Sequence, residues 1–498
     1  MTAIWRCHAR GVPVRAIWLA LLACGCGTAA AAQGAPPLQA AAQQIVAGAS
    51  GTWSVMAWSI DADRPLIAIN AGQALIPASN NKVFTSVWAL DVLGPDHRFH
   101  TDLLITADPD ANGVLRGDVV IRGSGDPGFG YREFYPEPMR PLRVMAQQLY
   151  SRGVRVVEGG VIGDPFAFDT VLVGPAWPGD TGGGSAAYAP PVSGLPFQRN
   201  MIWVQAFSTP AGVEIRLDPA VDVIPVVSTV RSGGNRAWAV RQANRDTIYV
   251  RGAISGRGPY RYGIGVNDPA LLTAAALRLA LTEAGIQVRG PARVGATPAG
   301  ARGIHRHVSV PLAVLIPKLN QESDNFFAEH LWKASVREAV GVGSFSRGGP
   351  ASALHFMQKA GVPAGELFQF DGSGLSSHSR ASANSLVRTL IYAHRAPWSE
   401  LFHNSLAVAA DPRGTMNRLY RGSTAAGNLH AKTGYIRQVR TLSGYVRAAN
   451  GELIAFSFLY NGSNTNGARV VQENLGILLA DYGRGSRPVA APDTAAGD

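Results

Sequence analysis

Three short polar motifs stand far apart in this chain of 498 residues, and they constrain what it can fold into. The motifs are Ser79-Asn80-Asn81-Lys82, Ser323-Asp324-Asn325 and Lys432-Thr433-Gly434. Each motif alone is weak, since Ser-x-Asn also occurs at Ser382-Ala383-Asn384. Their order along the chain indicates a single site, and this requires a fold that brings three distant segments together.

Lysine is scarce in this chain, and this gives two of the motifs more weight. The sequence has 45 lysines and arginines, but only five are lysines, and two of these five, Lys82 and Lys432, lie in the motifs. Lysine can lose its proton in a protein, whereas arginine cannot. A site that needs a base therefore has a reason to use lysine where the rest of the chain uses arginine.

The spacing of Ser79 and Lys82 predicts that both side chains lie on one face of a helix that begins at Ser79. Lys82 can then accept the Ser79 proton, provided that burial and nearby positive charge lower the pKa of the lysine. The helix N-terminus would also favour negative charge that develops near Ser79. The alternative is a serine N-cap followed by a solvated lysine.

The second and third motifs supply further groups that such a site can use. The Ser323 hydroxyl can pass a proton to a leaving group, and the Asn325 amide can hold the lysine of the first motif and a substrate amide. Lys432 and the Thr433 hydroxyl can bind a carboxylate, and Gly434 would let a substrate lie against the strand edge. The alternatives are an ordinary polar helix face and a plain turn into a strand.

The N-terminus has the pattern of an export signal, predicted to cover residues 1–32. Three arginines precede an apolar run at residues 16–23, and Ala-x-Ala cleavage sites follow at residues 29–32. The sequence therefore predicts a periplasmic protein. All three cysteines lie in this segment, so the mature chain would carry none. Lipoprotein processing at Cys24 is the less favoured alternative, because the bulky Leu22 argues against it.

The chain is basic, with a formal net charge of +11 that falls to +8 when the predicted signal peptide is removed. A basic surface suits polyanions such as a cell-wall polymer or an anionic membrane face. Nucleic acid is rejected as a partner, because export is predicted and the sequence has no nucleic-acid-binding motif. The plainer alternative is that arginine replaces lysine on an ordinary solvated surface.

The two ends of the chain have the pattern of one discontinuous domain, predicted to comprise residues 38–94 and 305–482. Its predicted helices cover residues 38–47, 79–93, 312–340 and 469–481. Its predicted strands cover residues 53–60, 66–70, 430–435, 440–447 and 452–459. Asn450-Gly451 predicts a hairpin turn between the last two strands.

Residues 95–304 have a different pattern of apolar runs and turns from both ends of the chain. They are predicted to be an insertion of one or two small β-rich domains. Short apolar runs alternate there with Gly/Pro turns, including predicted strands at residues 114–121 and 154–162. A helix is predicted at residues 269–284. The tail at residues 483–498 is predicted to be disordered.

Two further patterns do not support a cofactor or metal site. Residues 123–128 match Gly-x-Gly-x-x-Gly, but Pro127 and the glycine-rich stretch after it do not supply the helix that a dinucleotide site needs. Residues 108–113 resemble the start of a calcium loop, but its twelfth position is Val119 rather than glutamate. The histidines form no His-Glu-x-x-His pattern, so the sequence predicts neither a cofactor nor a catalytic metal.

Together with the three motifs, several longer stretches resemble one enzyme family. The chain is similar to the class C low-molecular-mass penicillin-binding proteins, the D-alanyl-D-alanine carboxypeptidase/endopeptidase family, over nearly all of residues 47–482. The matching stretches are Arg122-Gly123-Ser124-Gly125-Asp126-Pro127, Gly163-Asp164, Tyr188-Ala189-Pro190-Pro191-Val192-Ser193, Asn320-Gln321-Glu322-Ser323-Asp324-Asn325, Asp371-Gly372-Ser373-Gly374-Leu375-Ser376, and Ser405-Leu406-Ala407-Val408-Ala409 to Ala431-Lys432-Thr433-Gly434.

The resemblance implies an α+β fold, a penicillin-recognising serine transpeptidase/β-lactamase-like domain with an antiparallel sheet flanked by helices, split by the β-rich insertion. It implies hydrolysis of the terminal D-alanine of peptidoglycan stem peptides through an acyl-serine, with cleavage of peptide cross-links as a second activity. β-Lactams would acylate the same serine. The alternatives are a β-lactamase or esterase with this machinery and a non-catalytic cell-wall binding protein.

The resemblance also implies a role for each catalytic residue. Ser79 would be the nucleophile that forms the acyl-enzyme, and Lys82 would be the base for acylation. Ser323 would relay protons, and Asn325 would order the site.

The residues implied to bind substrate lie mainly around the third motif. Lys432 and Thr433 would hold the terminal carboxylate beside Gly434, and the backbone N–H groups of the nucleophile and of Tyr435 would form the oxyanion hole. Asp164 lies where the family can bind the amine of diaminopimelate.

This sequence departs from the family pattern at three positions. Tyr435 stands where threonine is common, Ser377 where arginine is usual, and Pro165 where a small polar residue is common. These departures bear on substrate preference more than on mechanism.

Overall fold

A computed structural model of the protein describes residues 37–179, 184–242, 245–256 and 258–484. The predicted signal peptide at residues 1–32 lies outside these ranges. The same is true of all but two residues of the tail predicted to be disordered.

A six-stranded antiparallel sheet joins the two ends of the described chain, in the order β2-β1-β23-β22-β21-β20. Its strands are β1 (Thr52–Ser59), β2 (Arg64–Ile69), β20 (Ala407–Val408), β21 (His430–Ile436), β22 (Val439–Arg447) and β23 (Leu453–Asn461). β1 pairs with β23 along its whole length, so the first hairpin is completed by the last strand. The predicted turn at Asn450-Gly451 connects β22 to β23 as expected.

Helices cover both faces of this sheet, and therefore its central strands are apolar on both sides. α1 and α10 pack on one face, and a cluster that includes α2, α5, α6, α7 and α8 packs on the other. The helices are α1 (Pro37–Ala47), α2 (Asn81–Val92), α3 (Arg140–Ser151), α4 (Pro269–Glu283), α5 (Leu312–Asn320), α6 (Asn325–Val340), α7 (Phe345–Ala360), α8 (Ala383–Arg395), α9 (Ser399–Ser405) and α10 (Thr465–Ala480). The predicted α+β fold is confirmed.

The segment between α2 and α5 is rich in short strands and has its own buried apolar cluster. One sheet has the order β16-β7-β5-β3-β17 and a second has the order β15-β6-β4. Their strands are β3 (His100–Ile105), β4 (Val114–Leu115), β5 (Val119–Gly123), β6 (Val156–Val157), β7 (Val161–Asp164), β15 (Gln287–Val288), β16 (Ala292–Val294) and β17 (Arg302–Val308). β17 pairs with β3 up to Val308. The predicted domain boundaries remain predictions.

Two more sheets complete this segment, and a two-stranded ribbon lies after α7. β8 (Met201–Thr209), β9 (Gly212–Asp218) and β14 (Tyr260–Gly265) form an antiparallel meander. The other sheet consists of β10 (Val226–Ser228), β11 (Arg231–Ser232), β12 (Asn235–Arg241) and β13 (Ile248–Ile254). The ribbon consists of β18 (Leu367–Phe368) and β19 (Arg380–Ala381).

Three chain segments pass side by side from the small parallel sheet into the five-stranded sheet, each with a glycine at the crossing. The N–H of Gly159 donates to the carbonyl of Gly117 at 3.0 Å, and the N–H of Gly290 donates to that of Gly159 at 2.8 Å. A Cβ on Gly159 would lie 2.5 Å from the Gly117 oxygen. The single strands predicted at residues 114–121 and 154–162 are therefore wrong, because each breaks into two strands at its glycine.

The single helix predicted at residues 312–340 is also two helices. α5 ends at Asn320 and α6 begins at Asn325. Between them, Ser323 has a φ of +60°, which an α-helix does not allow. The Asp324 side chain then caps α6, so the second motif lies at a helix start rather than within a helix.

The helical cluster behind the sheet predicts a stability test. Phe84 of α2 is fully buried against Phe356 of α7, with ring centroids 5.2 Å apart. We expect Phe84→Ala to lower the free energy of unfolding by about 3–5 kcal/mol, because it removes buried apolar surface and leaves a cavity. Urea denaturation would measure this loss. The half-exposed Val470 of α10 provides a control, Val470→Ala, and an equal loss in both variants would contradict the expectation.

Candidate active site

The first motif lies where a short turn runs into α2. Ser79 is in the middle of a single 3-10 turn, Ala78–Asn80, rather than at the first residue of the α-helix. Ala78 has a φ of +46°, so the chain turns sharply just before the serine. Ser79 Oγ lies 3.0 Å from Nζ of Lys82, as the spacing predicted.

Lys82 is fully buried, which rules out the alternative of a solvated lysine. Its Nζ donates hydrogen bonds to Oδ1 of Asn325 at 2.7 Å and to the carbonyl of Ser373 at 2.8 Å. Burial lowers the pKa of Lys82 to about 8, and nearby carboxylates, chiefly that of Glu329, oppose this shift. The amine can therefore exist in its neutral form near neutral pH.

The second lysine of the motifs is buried beside the second motif. Nζ of Lys432 donates to Oγ of Ser323 at 2.8 Å and to the carbonyl of Thr433 at 2.8 Å. Burial, and then the charge of Lys82, hold the pKa of Lys432 well below its usual value. Among the described residues, no acidic side chain forms an ion pair with Lys432. A substrate anion would supply the missing negative charge.

The start of α6 positions the amide of Asn325 between the lysine and a neighbouring loop. Its Nδ2 donates to the carbonyl of Tyr188 at 2.8 Å, while its oxygen accepts from Lys82. The preceding residue, Asp324, caps the helix and forms an ion pair with Arg199. These contacts fix the backbone on both sides of the second motif.

β21 carries the third motif directly past Ser79. A Cβ on Gly434 would lie 2.0 Å from Oγ1 of Thr441 and 3.0 Å from the backbone nitrogen of Ser79. Packing against the turn that carries Ser79 therefore requires a glycine at this position. The sequence had suggested a different reason, namely space for a substrate along the strand edge. Tyr435 follows Gly434 on this strand, and its ring is exposed and faces the Arg440 guanidinium at 4.5 Å.

The Thr433 hydroxyl connects the third motif to the second through a residue that sequence reasoning missed. Thr433 Oγ1 lies 2.8 Å from Oγ1 of Thr415, and the N–H of Thr415 donates to the carbonyl of Gln321. A substrate carboxylate at Lys432 would find these hydroxyls at its side.

A buried carboxylate pair, also missed from the sequence, holds the loop behind Lys82. Glu329 accepts hydrogen bonds from the N–H groups of Gly372 and Ser373, both at 2.8 Å. Burial, and then the neighbouring Asp371, raise the pKa of Glu329. Asp371 in turn accepts from Nε1 of Trp177 at 3.0 Å and from two further backbone N–H groups of the loop. This network presents the Ser373 carbonyl to Lys82.

The structure places Asp164 outside the hydrogen-bonded cluster of the three motifs. Its carboxylate accepts from the N–H of Phe166 and from both the N–H and the hydroxyl of Thr297. It faces a polar cavity of about 380 Å³ that is also lined by arginines such as Arg122 and Arg306 and by no residue of the three motifs. Its role in substrate binding remains a prediction.

The Glu329 contacts predict how the loop responds to substitution. Glutamine has one acceptor oxygen where glutamate has two, so Glu329→Gln leaves one buried N–H without a partner, at a cost of about 1–3 kcal/mol. We expect lower thermal stability and slower labelling of Ser79 by a serine-directed acylating reagent. Glu338→Gln, on the exposed end of the same helix, is the matched control. Equal stability and labelling in both variants would contradict this role.

Comparison with known proteins identifies the family. The model of the D-Ala-D-Ala carboxypeptidase 3 (S13) family matches residues 38–482. A D-alanyl-D-alanine carboxypeptidase of Actinomadura sp. strain R39 is 32% identical over 455 residues, which cover 86% of this chain and 80% of that protein. A D-alanyl-D-alanine carboxypeptidase of Haemophilus influenzae is 24% identical over 424 residues, covering 82% of this chain and 85% of the relative.

The fold agrees with this assignment. The crystal structure of penicillin binding protein 4 from Haemophilus influenzae aligns with a TM-score of 0.75 at 24% sequence identity. The alignment covers 89% of this chain and 99% of the other. This chain therefore belongs to the D-Ala-D-Ala carboxypeptidase 3 (S13) family of serine-type carboxypeptidases.

Proposed function

We propose that the protein removes the terminal D-alanine from peptidoglycan stem peptides through an acyl-enzyme on Ser79. The observation that carries this proposal is the arrangement of three groups around Nζ of Lys82. A neutral amine has two N–H donors and one lone pair. If the donors serve Asn325 Oδ1 and the Ser373 carbonyl, the lone pair is left for the Ser79 hydroxyl.

Acylation then follows from this geometry. Ser79 Oγ gives its proton to Lys82 and attacks the carbonyl carbon of the penultimate D-alanine. Negative charge develops on the carbonyl oxygen, and we place it against the backbone N–H groups of Ser79 and Tyr435. One such donor is commonly worth about 3 kcal/mol.

Loss of D-alanine completes the first half of the reaction. The C–N bond breaks, and the leaving amine takes the serine proton, relayed from Lys82 through the hydroxyl of Ser323. The carboxylate of the same D-alanine lies against Lys432 and Thr433. Water then attacks the ester, the bond to Ser79 Oγ breaks, and the serine recovers its proton.

The same chemistry extends to two other substrates. A peptide cross-link also ends in a D-alanyl amide, so endopeptidase cleavage needs only space for a larger leaving group. A β-lactam presents a strained amide and a carboxylate, but its leaving nitrogen stays tethered after ring opening. We therefore propose that β-lactams acylate Ser79 and leave slowly.

We also propose that the enzyme works in the periplasm after removal of residues 1–32. The basic, apolar and alanine-rich order of this segment supports export. Peptidoglycan, the proposed substrate, lies in that compartment.

The first test is the intact mass of the protein after incubation with benzylpenicillin. We expect a single stable adduct on the wild type and none on Ser79→Ala, together with release of D-alanine from an acyl-D-Ala-D-Ala peptide by the wild type alone. Drug consumption without an adduct would indicate a β-lactamase. An intact drug and no adduct would overturn the catalytic proposal and favour a binding protein.

The pKa of Lys82 gives the second test. The neutral fraction of an amine with a pKa of about 8 rises tenfold per pH unit below that value. We expect the acylation rate constant to rise with pH from about 6 to about 8 and then to level off. Lys82→Arg should be inactive at every pH, because arginine keeps its proton. A rate that is flat across this range would contradict Lys82 as the base.

A further inference from the structure

A large apolar groove lies on the surface beside the active-site loop. It has a volume of about 830 Å³ and is formed by α7, the segment around β18 and the loop after β7. None of its lining residues is charged, and none belongs to the three motifs. The groove is therefore a separate feature from the substrate site.

Large apolar side chains are unusually exposed along this groove. Five that line it are each at least 40% exposed, which is costly in water unless something covers them. Leu354 and Met357 project from one face of α7, and Phe368 and Phe370 from one side of an extended segment opposite. The fifth is Val171.

The polar side chains among the lining residues are few, and both already have partners within the protein. They are Ser346 and Gln369. Gln369 donates to Asn81 and accepts from Ser352, and the Ser346 hydroxyl lies 3.0 Å from that of Ser344. An extended peptide or a glycan would bury unpaired polar groups here, whereas a hydrocarbon chain would not.

One exposed cation, Arg347, follows the lining residue Ser346 directly along α7. Arg347, two residues after Phe345 on α7, is exposed and forms no ion pair or hydrogen bond with any described residue. Two acidic residues, Glu366 and Asp371, are direct chain neighbours of the lining, and both are hydrogen-bonded within the protein: Glu366 to Ser382 and Asn384, and Asp371 to Trp177. The rim therefore suits an anionic head group.

We propose that this groove docks the protein on an anionic phospholipid membrane, with acyl chains against the apolar lining and a lipid phosphate at Arg347. The basic charge of the chain favours the same surface. None of the described helices is long and apolar enough to cross a membrane, so the contact would be peripheral. The proposal stands independently of the reaction at Ser79.

Vesicle co-sedimentation tests this proposal on the processed protein expressed from the full chain. The vesicles contain phosphatidylglycerol and phosphatidylethanolamine, or phosphatidylcholine alone. The variants are Leu354→Ser with Met357→Ser, Arg347→Gln, and the control Val470→Ser on α10. All share one N-terminus, so differences between them report on the groove. Thermal unfolding followed by circular dichroism, measured in parallel, checks that each variant is folded.

We expect the wild type and the control to bind anionic vesicles equally. The double variant should bind at least about tenfold more weakly, and Arg347→Gln should lose the preference for anionic over neutral vesicles. Absence of vesicle binding by the wild type, or full binding by the double variant, would overturn the proposal. A self-associated species that the double variant abolishes, without lipid binding, would instead show that a second copy covers the groove.

Discussion

The buried amine of Lys82 is the interaction on which the rest of the active site depends. A lysine without solvent is tolerated only where every donor has an acceptor, and here the acceptors come from two distant segments. Asn325 begins α6, and the Ser373 carbonyl belongs to a loop nearly fifty residues later. The contacts that bury the Lys82 amine therefore form only when these segments pack together.

The carboxylates near Lys82 do not contact its amine directly. Glu329 and Asp371 bind backbone N–H groups of the loop rather than the amine itself. Their field limits the fall of the lysine pKa, while the absence of a direct ion pair leaves the amine free to face Ser79. Burial and the charge of Lys82 lower the pKa of Lys432, and a carboxylate bound beside it would favour its charged form.

Much of this site could be predicted from the sequence, because the motifs are local and their chemistry is specific. The spacing of Ser79 and Lys82 predicted their contact, and the scarcity of lysine drew attention to Lys82 and Lys432. The role of Glu329 could not be predicted, since a glutamate within a predicted helix looks like a solvated residue until tertiary packing buries it. The sequence also could not show that the helical stretch predicted at residues 312–340 is divided into α5 and α6. Apolar periodicity continues across Ser323, and only the positive φ of this residue reveals the break.

The pairing of β1 with β23 has a consequence for the order in which the protein can mature. Ser59 and Glu452, hydrogen-bonded across this pair, are 393 residues apart. Ser79 and Lys82 are made early in synthesis, but the sheet beside them stays open until nearly the last strand is made. For almost the whole of synthesis Ser79 thus lies beside an incomplete sheet, and the three motifs can come together only once the chain is nearly complete.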